Sequence, residues 1–202
     1  IKKISFKPGL PWDEFIIVTA KDIPGKNRVT LIMDDQPFLA ETMINHAEEP
    51  ILLLAHHDKS LVEEARNSID IDIEPEPPVL TPVLTIEEAL HANNIIKSIR
   101  VEKGDFSKAL SEADYVIDGE YTTGLQETLY IENHGIIAVA DHGKGVTVWG
   151  SMQCPYYVHK AVVGLFGLPK DQVRVIQTET GGGFGGKEDY PSIIAGHAAL
   201  LA

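Results

Sequence analysis

Five of the eight residues from Gly181 to Glu188 are glycine, and no ordinary strand or helix tolerates that density. Glycine loses the most backbone freedom when it is fixed, so the stretch must be a loop. Before it, Val173-Arg174-Val175-Ile176-Gln177 is β-branched and reads as a strand; after it, residues 193–202 form an apolar run of helical character. A glycine loop between a strand and a helix lets backbone amides converge on an anion or an oxo-rich ligand. Gly181, Gly183 and Gly186 satisfy G-x-G-x-x-G, which leaves a dinucleotide fold and a nicotinamide-dependent dehydrogenase open. The phosphate-loop motif fails by one residue: Glu188 stands where a Ser or Thr hydroxyl would meet magnesium, which excludes a nucleoside triphosphatase. The plainer alternative is a flexible strand-to-helix turn.

The remaining pattern divides in two. Residues 14–20 and 51–55 read as strands, Asp58-Lys59-Ser60 offers caps for a helix over residues 61–66, and residues 69–73 alternate as a half-buried strand, which gives a strand–helix–strand unit. Glu74-Pro75-Glu76-Pro77-Pro78 cannot continue a sheet and opens a linker, with a short helix over residues 85–91. Past residue 104 the pattern predicts a helix over 105–113 and a strand over 115–121. A hairpin follows across Asp141-His142-Gly143-Lys144, then a helix over 155–166 that starts on Pro155 and stops at Gly167. The domains expected are therefore residues 1–77, a linker over 78–103, and residues 104–202, in an α+β fold.

Charge and cysteine usage narrow the function. Seventeen basic against thirty acidic residues give a net charge of −13, which repels nucleic acid and anionic lipid. No apolar run reaches bilayer length, so a cytoplasmic protein is expected. The single cysteine, Cys154, excludes an internal disulfide or an iron–sulfur cluster held by this chain alone, and reads as a small packed residue. The eight histidines form no zinc pattern. Both ends look cut: Ile1 opens inside an apolar pattern, and Ala202 closes an uncapped helix.

The glycine loop then acquires a context. Residues 178–188 resemble the Gly-Gly-Gly-Phe-Gly-Gly-Lys-Glu signature of the molybdenum subunit in the xanthine dehydrogenase/aldehyde oxidase family. Gln126-Glu127 with Tyr130-Ile131-Glu132 is similar to that family's Gln-Glu-x-x-Tyr-Leu-Glu segment, and Ser151-Met152-Gln153-Cys154-Pro155 to its Ser-Thr-Gln-x-Pro segment. Residues 19–25, 74–82, 103–105 and 109–116 follow the family in order and rough spacing. Leu125, Thr128 and Ala47-Glu48-Glu49-Pro50 depart from its pattern.

The resemblance implies a partial α/β-hammerhead domain followed by the opening part of a molybdopterin-binding domain. It also implies a molybdenum hydroxylase that oxidises a purine-like N-heterocycle or an aldehyde with water as the oxygen source. Electrons would pass to 2Fe-2S and FAD groups on partner domains or subunits, and the full-length protein is expected to be an oligomer. Within the site, Gln126 would hydrogen-bond a molybdenum ligand, Gly183, Phe184 and Gly185 would line the cofactor, and Glu188 would face the substrate. No residue here is expected to ligate the metal directly. The family's catalytic base is a glutamate that no segment of this chain matches, so the piece alone is expected to be inactive. Each role has a plainer counterpart: Gln126 as a loop glutamine, Phe184 as a plug of the turn, Glu188 as a carboxylate at a helix N-terminus. A non-catalytic assembly or binding module that keeps the fold is the remaining alternative.

Overall fold

The computed structural model describes residues 1–29, 33–77, 85–91, 95 and 97–202. Its contacts gather Ile1–Glu74 and Glu127–Ala202 into one compact unit and Pro75–Gln126 into a second.

The first unit opens with β1 (Lys3–Phe6), β2 (Ile16–Thr19) and β3 (Leu52–Ala55), then α1 (Lys59–Asn67) and β4 (Ile69–Asp72). The sequence locates β2, β3, α1 and β4 because their signals are local, while β1 is not anticipated. Asp58 caps α1 by accepting from the Ser60 amide at 2.8 Å, and β4 buries its isoleucines while exposing its aspartates. The pairing is not local. β3 and β4 flank α1 but do not share a sheet: β1 pairs antiparallel with β4 (Ile4↔Ile71), and β2 with β3 (Ile17↔Leu54). The expected strand–helix–strand unit thus joins two separate two-stranded sheets.

In the second unit, α2 (Ile86–His91) begins with a reciprocal cap in which the Thr85 amide bonds Glu88 and the Glu88 amide bonds the Thr85 hydroxyl, both at 3.1 Å. Asp105 caps α3 (Phe106–Ser111) at 2.9 Å. The strand expected over 115–121 does not form. Tyr115, Ile117 and Tyr121 are each at least 90% exposed, and no described strand lies alongside to pair their backbone. An isolated strand leaves its amides and carbonyls to water, so composition alone is insufficient. Of the expected linker, residues 78–84, 92–94 and 96 lie outside the described residues.

The chain then returns to the first unit. β5 (Ile136–Asp141) and β6 (Gly145–Gly150) form the hairpin, α4 (Pro155–Phe166) crosses over, β7 (Val173–Gln177) pairs parallel with β6, and α5 (Tyr190–Leu201) follows the glycine loop. α4 matches its sequence signals at both ends, with Pro155 in the first turn and Gly167 left-handed at φ 65°. One core lies between this sheet and both helices, built on Val146, Val148, Met152, Val158, Val162, Val173, Ala195 and Ala199.

A second core crosses the boundary that composition places between the two sequence regions. Val29 and Phe38, from the first region, are buried against Ala161, Leu165 and Ile193. His197 Nε2 donates to the Phe38 carbonyl at 2.7 Å. The amides of Gly25 and Lys26 donate to the Leu165 and Gly164 carbonyls, both at 2.8 Å, and so satisfy acceptors that the last turn of α4 leaves unpaired. A Cβ at Gly25 would sit 2.3 Å from the Gly164 carbonyl oxygen, so only glycine permits this approach. This docking ties the first sequence region to α4 and α5 within one compact unit. Gly25→Ala is expected to lower unfolding stability by about 2 kcal/mol, the worth of two strained or lost hydrogen bonds, measured by urea denaturation. An unchanged midpoint would show that the two regions do not depend on each other.

Candidate functional site

The glycine loop runs from the end of β7 to the start of α5, and three of its residues adopt positive φ: Gly182 at 95°, Phe184 at 49° and Gly185 at 96°. The Gly186 amide closes a tight turn onto the Gly183 carbonyl at 2.7 Å. Glycine is demanded on the inner side, because a Cβ at Gly183 would meet Gln153 Oε1 at 2.4 Å and one at Gly186 would meet the Tyr130 ring at 2.3 Å.

Beneath the loop lies a charge. The Lys187 side chain is fully buried, with its ammonium 2.6 Å from Glu132 Oε2, 3.1 Å from Ser151 Oγ and 4.9 Å from the centre of the Tyr130 ring. Glu132 Oε2 also accepts from Ser151 Oγ at 2.6 Å and from the Gly181 amide at 2.7 Å. One carboxylate oxygen thus holds the first loop residue and the lysine near the last. Gln153 supports the middle: its Oε1 accepts from the Gly185 and Lys187 amides at 3.0 and 3.1 Å, and its own amide donates to the Lys187 carbonyl at 2.7 Å. Beside them, the Tyr130 hydroxyl meets His134 Nε2 at 2.5 Å, and burial, then the nearby lysine, lowers the His134 pKa. His134 Nδ1 is buried without a partner among the described residues.

This network answers the phosphate-loop resemblance. The lysine that would have to reach a phosphate is turned inward and paired. The amides of Gly182, Gly183 and Phe184 make no hydrogen bond among the described residues. Unpaired N–H groups on a glycine loop can donate to oxygen or sulfur acceptors, which is the donor type an oxo-rich metal cofactor would need. Among the described residues no cluster of three or more His, Cys, Asp or Glu stands ready to ligate a metal ion.

The structure brings Gly183, Phe184, Gly185 and Glu188 into one loop. Gly183 is buried, while Gly185 and Glu188 are exposed, and the Glu188 carboxylate makes no hydrogen bond or ion pair among the described residues. Phe184 is not the plug of the turn: it is 76% exposed and left-handed, a conformation that costs a non-glycine residue about 1 kcal/mol. Gln126 is exposed and closes the second unit, with which it is described. Cys154 is half-buried, its thiol pushed up by burial and by the nearby Glu188 and Asp189. Sequence reasoning assigned no role to Glu132, Ser151, Gln153 or Lys187. The available signal was a lone lysine after a glycine run, which needs an acid from elsewhere, and Glu132 lies in a segment already singled out.

The Lys187, Ser151 and Gly181 bonds, in that order, pull the Glu132 carboxyl down to about 2. Because the folded pKa is depressed, its stabilising contribution is complete above the ordinary glutamate value and is lost as pH falls through the folded value. The stability gap between wild type and Glu132→Gln, from urea unfolding, is expected to be widest above pH 4.5 and to close as pH falls toward about 2. A gap that stays constant with pH would mean that the charge is not what matters.

The comparisons with known proteins agree with this geometry. The family model for the molybdopterin cofactor-binding domain matches residues 87–202, more than half of the chain. The large molybdopterin subunit of nicotinate dehydrogenase from Eubacterium barkeri is 34% identical over 183 residues, covering 89% of this chain and 43% of that protein. Xanthine dehydrogenase of Dictyostelium discoideum is 35% identical over 186 residues, covering 91% of this chain and 13% of that protein. Aldehyde oxidoreductase of Desulfovibrio gigas shares the fold with a TM-score of 0.68 at 20% identity, covering 90% of this chain and 22% of that one. The chain spans less than half the length of each of these relatives. A family model over more than half of the chain, with relatives 34% and 35% identical over about nine-tenths of it, makes the chain a member of the xanthine dehydrogenase/aldehyde oxidase family of molybdenum-cofactor proteins.

Proposed function

We propose that this chain is part of a cytoplasmic molybdenum hydroxylase that oxidises a purine-like N-heterocycle or an aldehyde, with water as the oxygen source and with iron–sulfur and flavin partners as electron acceptors. The observation that carries this reading is the set of unpaired amides at Gly182, Gly183 and Phe184. In this reading residues 1–77 belong to an α/β-hammerhead domain, residues 78–103 link it onward, and residues 104–202 begin the cofactor-binding domain. The two short antiparallel sheets and α1 support the first of these assignments.

The bound cofactor supplies oxygen transfer and two-electron redox chemistry. The chain's own part is to hold and orient. Gly183, Phe184 and Gly185 would offer backbone to the cofactor, and Gln126, described with the other unit, is a neutral amide donor of the kind that adds no charge to an anionic centre. Phe184 holds a left-handed backbone while exposing its ring, which leaves both the ring and the amide available to a ligand. Glu188 is free to accept from a ring N–H. An aldehyde offers no such donor, so the carboxylate favours the heterocycle.

The test is metal and pterin analysis of the full-length protein with turnover of hypoxanthine, xanthine and aldehydes on an artificial acceptor. Stoichiometric molybdenum with turnover supports the reading; a protein that folds without either overturns it. In that enzyme Glu188→Val is expected to lower kcat/KM for the heterocycle about 100-fold, the loss of a charge-assisted contact of about 3 kcal/mol, with a much smaller effect on aldehydes. Equal losses on both would return Glu188 to a carboxylate that only supports the helix.

A further inference from the structure

Lys187 and Glu132 are unequal partners. The ammonium is fully buried, whereas the carboxylate keeps 41% of its side-chain surface in water. A buried charge without its partner is costly, and a solvated one is much less so. The ammonium therefore depends on the carboxylate far more than the reverse. The same Glu132 oxygen accepts the Gly181 amide, and the Glu132 amide donates back to the Gly181 carbonyl at 3.4 Å. Glu132 thus fixes where the loop starts, and through the Lys187 side chain it fixes where the loop ends.

We infer that Glu132 is the positioning residue of the cofactor loop, acting through Gly181 and Lys187, and that Lys187 is an internal counter-charge with no contact to any ligand. This rests on the reading of the loop as a cofactor site, but the clamp itself is a property of the chain. Its consequence is an asymmetry. Glu132→Gln keeps a carbonyl to accept from Gly181 but leaves the buried ammonium unmatched, so the lysine is driven to leave its pocket and carries residues 185–187 with it. In Lys187→Met the carboxylate still holds Ser151 and Gly181 and relaxes into water. Removing both charges leaves neither unmatched, which is near neutral for an ion pair of this kind.

Two measurements test this on the wild type, both single variants and the Glu132→Gln/Lys187→Met double variant. Amide hydrogen exchange on the chain itself, which needs no cofactor, is expected to quicken about tenfold at Gly181, Gly185 and Lys187 in Glu132→Gln, with little change in Lys187→Met and recovery in the double variant. Molybdenum and pterin content per folded polypeptide of the full-length enzyme is expected to follow the same order, falling about tenfold in Glu132→Gln and returning in the double variant. Unaltered exchange in Glu132→Gln overturns the clamp. A loss of cofactor in Lys187→Met as large as in Glu132→Gln overturns the counter-charge role, because the lysine would then be touching the ligand. Should Glu132→Gln not fold, recovery of folding and content in the double variant supports the asymmetry, and failure there overturns it. A wild-type enzyme without molybdenum sinks the proposed function, while the exchange result still decides the clamp.

Discussion

The site depends on one buried positive charge. An unpaired ammonium in the interior costs several kcal/mol, so Lys187 can stay inside only where a carboxylate, a hydroxyl and an aromatic face surround it. Glu132, Ser151 and Tyr130 are those groups, and they come from segments 55, 36 and 57 positions away in sequence. Their convergence ties the loop to the turn before β5 and to the end of β6. Once the lysine is held inward, the glycines on its side have no room for side chains, and the turn that remains leaves the amides of residues 182–184 unpaired. The conformation of the loop is therefore a consequence of how its underside is neutralised.

The fold was legible wherever its cause is local. α4 could be located to the residue because Pro155 and Gly167 act on backbone torsions within one turn, and Asp58 and Asp105 mark helix starts by hydrogen bonds two or three residues ahead. What the sequence hid was pairing. Nothing in residues 52–55 or 69–72 says that one strand turns to β2 and the other to β1, since both are only four residues long and neither carries a signal for its neighbour. The segment over 115–121 is rich in β-branched and aromatic residues and still forms no strand, because composition describes a preference and not the partner that covers it.

The site divides the same way. Five glycines between a strand and a helix point to an anion-facing loop without any structure. The direction of Lys187 is not written there: the same Gly-Gly-Lys sequence serves a lysine that reaches out to phosphate and one that turns in toward an acid. Only the position of Glu132 in space distinguishes them. Gly25 hides in a similar manner. It reads as the end of a turn, and its need to be glycine comes from a helix terminus 139 positions later, at Gly164.

This division also bears on why substrate is harder to read than cofactor. Gly183, Gly186, Lys187, Glu132 and Gln153 constrain one another through contacts of van der Waals or hydrogen-bond length. Phe184 and Glu188 touch nothing that would resist replacement: the ring is 76% exposed and the carboxylate is unpaired among the described residues. A scaffold built this way can keep its cofactor loop while its outward side chains change to suit different ligands. Relatives named for nicotinate, xanthine and aldehydes are compatible with a shared fold for that reason. On the proposed reading, discrimination between a ring N–H and a carbonyl would rest on outward side chains such as Glu188, whose removal the fold would scarcely register.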